Sequence, residues 1–540
     1  MRNKIDLSAD PEALFLNPWQ DEGLKLLERP KFFWRTIPSA TIVGFAVSAH
    51  PTINEKIRSF IGSVDRHKRF KRAVEINAVT AVIEHASFRK SHVLAGGKLV
   101  LSGASATRLL NGFRLENDTE EVPSIDTLNT YLLKCRKGNE GRRIGEEKTL
   151  VESDLDFAIE CRNTFNYYHF ITESLSQLCV LDDVGFQGNI YFHYPNQEEK
   201  HRGFADAFVD ALFPEFSGRV FFERSPKDYD LVLTAYNFIG GVCQLPEADL
   251  EKLADIAPEG HVFGSVEFLP ILAMNAVGTP LLALRERALK AIEGRDFGYL
   301  PKRFFVGRGS GQSRERPLAG QDLLLEHLQR FGFEYVFFED LEPLEQIALM
   351  AQAEVMISIH GAGFTNMLFA NPDAYVIELG TLQMAKTRWA DFWPLAHASG
   401  CRYLNFLADF NSDDTLVEPR FKTDGIVPTA VSDFGAAQVI SFVVTLLGQI
   451  PTMPDPKSLH VLGDRVLKAG AADRALDLLA HHEAMVTPNL DLCILCADCH
   501  KALDQPKSEL IALEQAFKAD QKRWQTLIRI IWCANRCERA

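Results

Sequence analysis

Long apolar runs are missing from this sequence. The best candidate for a membrane span, residues 436–447, is interrupted by Gln438, Ser441 and Thr445 and is too short to cross a bilayer. The N-terminus carries Lys4, Asp6 and Asp10 where a leader would carry an apolar core, so no cleaved signal is expected. Cysteine is sparse, with 10 in 540 residues, which without a leader reads as free thiols in a reducing compartment. Positive charge is outnumbered, 58 basic against 72 acidic side chains for a net charge of -14, and this speaks against nucleic acid as a partner. Glycine (35) and proline (25) are too few for a low-complexity chain. Several catalytic signatures are absent too. There is no H-E-x-x-H, no G-x-S-x-G and no G-K-[ST], so nothing supports a zinc peptidase, an α/β-hydrolase or a P-loop enzyme, and a nicotinamide oxidoreductase, which could use the same kind of sheet edge, lacks its well-spaced G-x-G-x-x-G.

What is present is an ordinary folded composition, 46% apolar and 24% charged, long enough for about three or four domains. Residues 1–148 read as an irregular N-terminal region with short strands at 41–46 and 93–101. A loop is expected over 137–147, and the basic run at 66–72 (RHKRFKR) reads as a solvated helix face or loop. Residues 149–298 read as a first α/β lobe, with strands near 190–192 and 231–234 and helices at 199–212 and 267–287. Residues 299–450 are patterned most clearly. Strands at 303–306, 333–338, 354–359 and 374–378 alternate with helices at 321–331 and 344–351, as βαβ units with a mainly parallel sheet require. Pro451, Pro454 and Pro456 mark a linker to a helical tail, residues 457–540. In that tail Leu462, Leu476 and Leu479 recur 34 residues later as Cys496, Leu510 and Leu513, the period of tetratricopeptide repeats. Beyond such a linker, removal of the tail is expected to spare the rest.

Three clusters carry chemistry. His360-Gly361-Ala362-Gly363 follows an apolar strand, so its main chain, with the helix expected at 365–369, suits an anion at the carboxyl edge of a sheet. Thr365 and Asn366 would cap that helix or meet the ligand. Arg308, Arg314 and Arg316 sit in a glycine-rich stretch just after the strand at 303–306, and guanidinium groups there match a diphosphate. His169 and Glu173 are four residues apart on an expected helix, close enough to hydrogen-bond or to share a substrate hydroxyl in general-base work. Asp228 and Asp230 read as turn residues rather than metal ligands. Cys493, Cys496 and Cys499 read as an apolar helix stripe.

Two stretches together resemble glycosyltransferase family 61, the DUF563 type. They are EQIALMAQAEVMISIHGAGFTNMLF at 345–369, followed by YVIE at 375–378, and YYHFITESLSQLCVL at 167–181. Gly307 stands where the family often has serine, and Phe364 where it has leucine. The resemblance implies two facing Rossmann-like lobes in the GT-B arrangement. It also implies an inverting transfer from a nucleotide-sugar donor to a glycan, lipid-linked glycan or other hydroxyl acceptor in surface polysaccharide assembly, without an essential metal or other cofactor. Under it, His169 and Glu173 are the catalytic pair. The donor side comprises Arg308, Arg314, Arg316, His360, Gly361, Ala362, Gly363, Thr365, Asn366 and Glu378. A location at the cytoplasmic side, peripheral to the inner face of the membrane, follows from the same likeness, and the helical tail is left to bind a protein partner. The alternative is a non-catalytic scaffold that keeps a degenerate transferase core.

Overall fold

A computed structural model describes residues 10–27, 31–89, 91–117, 124–138, 155–161, 166–182, 185–195, 203–307 and 318–538. It shows a region of mixed α/β sheets followed by an all-helical repeat region.

The parallel sheet is built largely from the segment with the clearest pattern. Its strands lie in the order Glu334–Val336, Arg303–Val306, Val355–Ile359, Tyr375–Thr381, Arg402–Phe410 and Thr41–Ala46, every neighbouring pair parallel. The chain leaves Arg303–Val306 to one side and returns to its other side, so the strand order reverses between Arg303–Val306 and Val355–Ile359. A crevice forms at such a reversal, beyond the carboxyl ends of the two strands. Here those ends are Gly307 and His360. Helices cover both faces. Gln321–Gln329 and Asp433–Leu447 share one apolar core, while Pro343–Ala351, Ala362–Phe369 and Trp393–Ser399 share the other.

That second core continues without a break into the first α/β lobe. Phe364, Met367 and Trp393 pack in the same cluster as Phe170, Leu175, Phe192 and Phe208. The lobe's own sheet is mixed. Val220–Ser225, Ile190–Pro195, Phe157–Glu160 and Lys227–Asn237 run parallel, and Ala78–Phe88 pairs antiparallel with Lys227–Asn237. Strand pairing therefore crosses the division drawn at residue 148, and the N-terminal segment is less irregular than its pattern suggests. It supplies Ala78–Phe88 to one sheet and the edge strand Thr41–Ala46 to the other. The single strand expected at 93–101 is a hairpin, folded at Gly96 and Gly97 (φ 55° and 86°), the left-handed pair that a tight hairpin turn demands.

Two other expectations change. The helix read over 267–287 is split into Leu269–Met274 and Thr279–Ile292 by a strand, Ala276–Gly278, which pairs with Ala73–Ile76. Gly278 ends the strand and Pro280 fits the first turn of the new helix, where its missing N–H costs nothing. The basic run is only partly solvated. Arg69 pairs with Asp65 at 2.9 Å, donates to the Ile42 carbonyl at 2.6 Å and lies over the Trp393 ring. Most of the loop expected at 137–147 lies outside the described residues.

In the tail, helices begin at Pro456, Leu490 and Trp524, and partner helices at Ala472 and Pro506, so each start recurs after 34 residues. Asp455 and Asn489 cap the first helix of their pairs in the same way, each accepting from a main-chain N–H in the first turn. Cys493 and Cys499 are buried in the repeat core, and all ten cysteines are unpaired. The first tail helix is not separate from what precedes it. Leu459, Leu462 and Val466 lie in one apolar core with Val439, Ile440 and Val443. The last helix exposes Trp524 (64%) and Trp532 (74%) together with Ile531. Among the described residues no helix is long and apolar enough to cross a membrane.

Candidate active site

Tyr167–His169 opens a helix on the side chain of Asn166, which accepts from the His169 N–H, and the next turn widens to a π-helical one over Phe170–Ser174. Single wide turns of this kind often occur at functional sites. His169 and Glu173 still meet, with Nδ1 2.8 Å from Glu173 Oε1. Arg108 approaches the other carboxylate oxygen at 3.5 Å. A carboxylate at Nδ1 favours the tautomer with its proton there, which leaves Nε2 as the acceptor nitrogen. Nε2 has no hydrogen bond among the described residues.

A second histidine–carboxylate pair stands on the other sheet. His360 Nδ1 lies 2.7 Å from Glu378 Oε1, and Glu378, fully buried, takes the Tyr403 hydroxyl on Oε2. Burial and the Glu378 charge hold the Tyr403 phenol well above its ordinary pKa, so it remains a donor. Rings connect the two pairs. Tyr168 packs on His169 at 5.3 Å and on Phe392 at 5.8 Å, and Phe392 packs on His360 at 5.2 Å.

The helix after His360 runs from Ala362 to Phe369 as a 3-10 helix, longer than the expected 365–369. Gly361 is extended (φ 174°), a conformation open to any residue, so its glycine is not required by backbone strain. Gly363 sits close to the Phe338 ring, where a Cβ would come to 3.3 Å and require the ring to shift by a few tenths of an ångström. Thr365 and Asn366 are completely buried. Asn366 is engaged within the protein, accepting from the Tyr167 hydroxyl at 2.6 Å and donating to Gln346 at 3.2 Å. The Thr365 hydroxyl has no partner among the described residues. Arg308, Arg314 and Arg316 lie outside the described residues; they follow Gly307, at the reversal of strand order. Asp228 is taken by the Ser87 hydroxyl and by Arg89 at 3.2 Å. Among the described residues no group of three or more His, Cys, Asp or Glu is placed to hold a metal.

Sequence reading missed Asp391. Its carboxylate is 3.3 Å from Arg388, its carbonyl accepts from the Tyr168 hydroxyl at 2.9 Å, and it lies within electrostatic reach of both His169 and His360. Burial raises its pKa, against the opposing pull of Arg388 and the two histidines. The one available signal was an acid set among aromatics, Trp389-Ala390-Asp391-Phe392-Trp393.

Residues 167–377 match the family described as Glycosyltransferase 61, so the chain contains a domain of that family. The match begins at Tyr167, takes in both histidines and ends one residue before Glu378. No curated protein matches the chain.

Proposed function

We propose that this domain is an inverting glycosyltransferase of GT-B type, with two Rossmann-like lobes, acting on a nucleotide-sugar donor and a hydroxyl acceptor. The observation that carries this reading is that two histidine–carboxylate pairs, His169–Glu173 on a helix and His360–Glu378 at the strand ends of the parallel sheet, are joined through the rings of Tyr168 and Phe392.

In the proposed mechanism His169 Nε2 takes the proton of the acceptor hydroxyl, with Glu173 holding the ring and stabilising the imidazolium. The acceptor oxygen forms its bond to the sugar C1 while the bond to the diphosphate oxygen breaks. The electron pair leaves with the nucleoside diphosphate. Arg308, Arg314, Arg316 and the main chain of residues 361–363 neutralise the charge that accumulates on the leaving group. His360, its Nδ1 held by Glu378, would add a further donor on that side only as an imidazolium, through Nε2. Fixed cationic and main-chain donors do the work a metal does elsewhere, so transfer is expected to proceed without one.

The acceptor is read as a glycan or lipid-linked glycan in surface polysaccharide assembly, at the cytoplasmic face of the membrane. The helical tail, tetratricopeptide-like in period, is read as a protein-docking unit, supported by the exposed Trp524, Ile531 and Trp532.

The test is a titration and transfer screen of the full chain against UDP-, GDP-, CMP- and dTDP-sugars. Saturable binding of one nucleotide with transfer or slow donor hydrolysis is expected. If none binds, the chain is the non-catalytic scaffold.

A further inference from the structure

The first helices of the tail repeats start at Pro456, Leu490 and Trp524, so equivalent residues recur along the chain, but their burial does not. Leu459 and its equivalent Cys493 are fully buried, whereas the third equivalent, Leu527, is 44% exposed. Gly463 and Ala497 are buried as well, yet Ile531 is 54% exposed. The groups that cover the earlier positions are plain. A Cβ at Gly463 would meet Leu495 of the next repeat's first helix and Leu479 of its own second helix. Ala497 shares a core with Leu513 and Cys533 in the corresponding places. Neither kind of neighbour exists for Ile531 among the described residues. The outer side of Trp524–Cys537 is thus a stacking surface without its next layer. Helical solenoids need ends that carry a polar outer face. This one presents Trp524, Leu527, Ile528, Ile531 and Trp532 instead.

Area, spacing and charge select the occupant. With tryptophans of this exposure the five residues offer on the order of 600 Å². Two such faces laid together bury roughly 1,200 Å², above the roughly 1,000 Å² that a specific interface needs. Trp524, Ile528 and Trp532 also form a single i, i+4 row, the kind of ridge by which helices pack. That row reads the same in both directions. A two-fold axis at Ile528 therefore lays Trp524 of each copy against Trp532 of the other, the self-complementarity an isologous dimer requires. The described arginines of this helix are tied back to the preceding repeat. Arg523 pairs with Asp491 at 3.3 Å, Arg529 with Asp498 at 2.7 Å, and Arg536 with Glu509. Little free positive charge is left to draw an anionic bilayer.

We propose that a second copy of this chain supplies the missing layer. The two last helices pack antiparallel about a two-fold axis at Ile528, and the dimer is joined through the ends of its tails. This names a partner for the docking reading of the tail. It is independent of the transferase reading, since the residues that match the family lie elsewhere in the chain.

The experiment is sedimentation equilibrium on the full chain, up to about 100 µM, where a micromolar Kd leaves the protein dimeric. A dimer is expected. Ile528→Glu and Trp532→Glu, both at exposed positions, should each weaken it roughly 30-fold or more, with melting temperature and nucleotide Kd unchanged. Ile528→Lys should do the same. Because residue 528 meets its own equivalent across the axis, an equal mixture of Ile528→Glu and Ile528→Lys should recover the dimer that neither forms alone. A monomer throughout the concentration range, or a dimer indifferent to all three substitutions, overturns the proposal. So does a mixture that stays monomeric. Binding of a monomer to anionic vesicles through the same tryptophans would give the face to a membrane and likewise overturn it. Each of these failures leaves the transferase reading to its own nucleotide-sugar titration.

Discussion

Tyr167 donates its phenolic hydrogen to Asn366 Oδ1 at 2.6 Å, across 199 residues of chain. The two residues belong to the two stretches that carry the family likeness, so this bond fastens one signature to the other. Tyr167 stands one turn from the His169–Glu173 pair, and Asn366 lies in the helix that follows His360. Gln346 completes the junction by accepting from Asn366 at 3.2 Å. Both halves of the site are set by the same buried polar contact.

Tyr167→Phe leaves the ring packing against Phe204 and Phe208 but strips Asn366 of a donor in a fully buried position. An orphaned buried acceptor costs about 1–3 kcal/mol. Urea unfolding should show that loss, and kcat should fall with it because the two histidines lose their common anchor. Unchanged stability would mean that the junction is not a structural one.

His169→Ala should cut kcat while leaving nucleotide Kd in place, since in the proposed mechanism His169 serves the acceptor and not the donor. Removal of a general base costs about 10²–10⁴-fold. Glu173→Gln should cost less, because glutamine can still accept from Nδ1–H but stabilises the imidazolium poorly. If both variants transfer sugar at the parent rate, the catalytic assignment is wrong and only the donor side stands.

Donor-side variants should behave in the opposite way. Arg308→Ala should weaken nucleotide binding and kcat together, with kcat/KM falling about 30- to 1000-fold for the loss of roughly 2–4 kcal/mol of charge stabilisation. His360→Ala should follow it in direction. EDTA should leave the rate largely intact, and Asp228→Ala should be mild, as Asp228 is already held by Ser87 and Arg89. Restoration of a chelated enzyme by Mn²⁺ or Mg²⁺ would contradict this.

Legibility followed the range of the forces involved. Val355–Ile359 is buried on both faces, so it reads as an apolar run, and the His360 turn beside it reads from neighbouring residues. His169 and Glu173 pair within one widened helical turn, which spacing alone reveals. Thr41–Ala46 was visible as a strand, but its place in the sheet depends on Arg402–Phe410, some 360 residues away, and nothing local encodes that. Asp391 was missed for a related reason. Its meaning comes from Tyr168, His169 and His360, all brought to it by tertiary folding. The helix read over 267–287 rests on apolar spacing alone, whereas Gly278 and Pro280 are the local breakers at which the structure divides it.

Acid should destabilise the protein well before carboxylates protonate. His92, His193, His327 and His397 have their pKa values pushed down to about 4, in each case first by burial and then by a neighbouring cation. In the unfolded chain each returns to about 6.5. Between those values the unfolded state binds protons that the folded state refuses, so stability is complete above pH 6.5 and declines as pH falls towards 4. From pH 6.5 to 5.5 each histidine should remove on the order of 1 kcal/mol. Urea midpoints at the two pH values check this, and equal midpoints would show that the imidazoles are not buried as neutral groups.

Cutting the chain after Ile450 is expected to harm the catalytic region, contrary to what a proline-rich linker suggests. The helix Asp433–Leu447 turns Val439, Ile440 and Val443 towards the core that also holds Leu459, Leu462 and Val466 of the first tail helix. Truncation uncovers that apolar surface on the outer side of the parallel sheet. A single fully buried leucine shortened to alanine costs about 2–5 kcal/mol, so loss of a whole packed helix exceeds what most domains can bear. The truncated chain should aggregate or unfold early, and Leu462→Ala in the full chain should lower stability by the single-residue amount. Arg303, at the start of the strand next to the Glu334–Val336 edge, also donates to Gln449 at 2.6 Å, which ties the end of that helix to the sheet. Removing only the last helix, Trp524–Cys537, is the control, since it packs within the repeat and exposes much of its surface already. That shorter deletion should leave nucleotide affinity unchanged. A soluble protein cut at Ile450 with full donor binding would show that the shared core contributes little, and the tail would then be a separable unit.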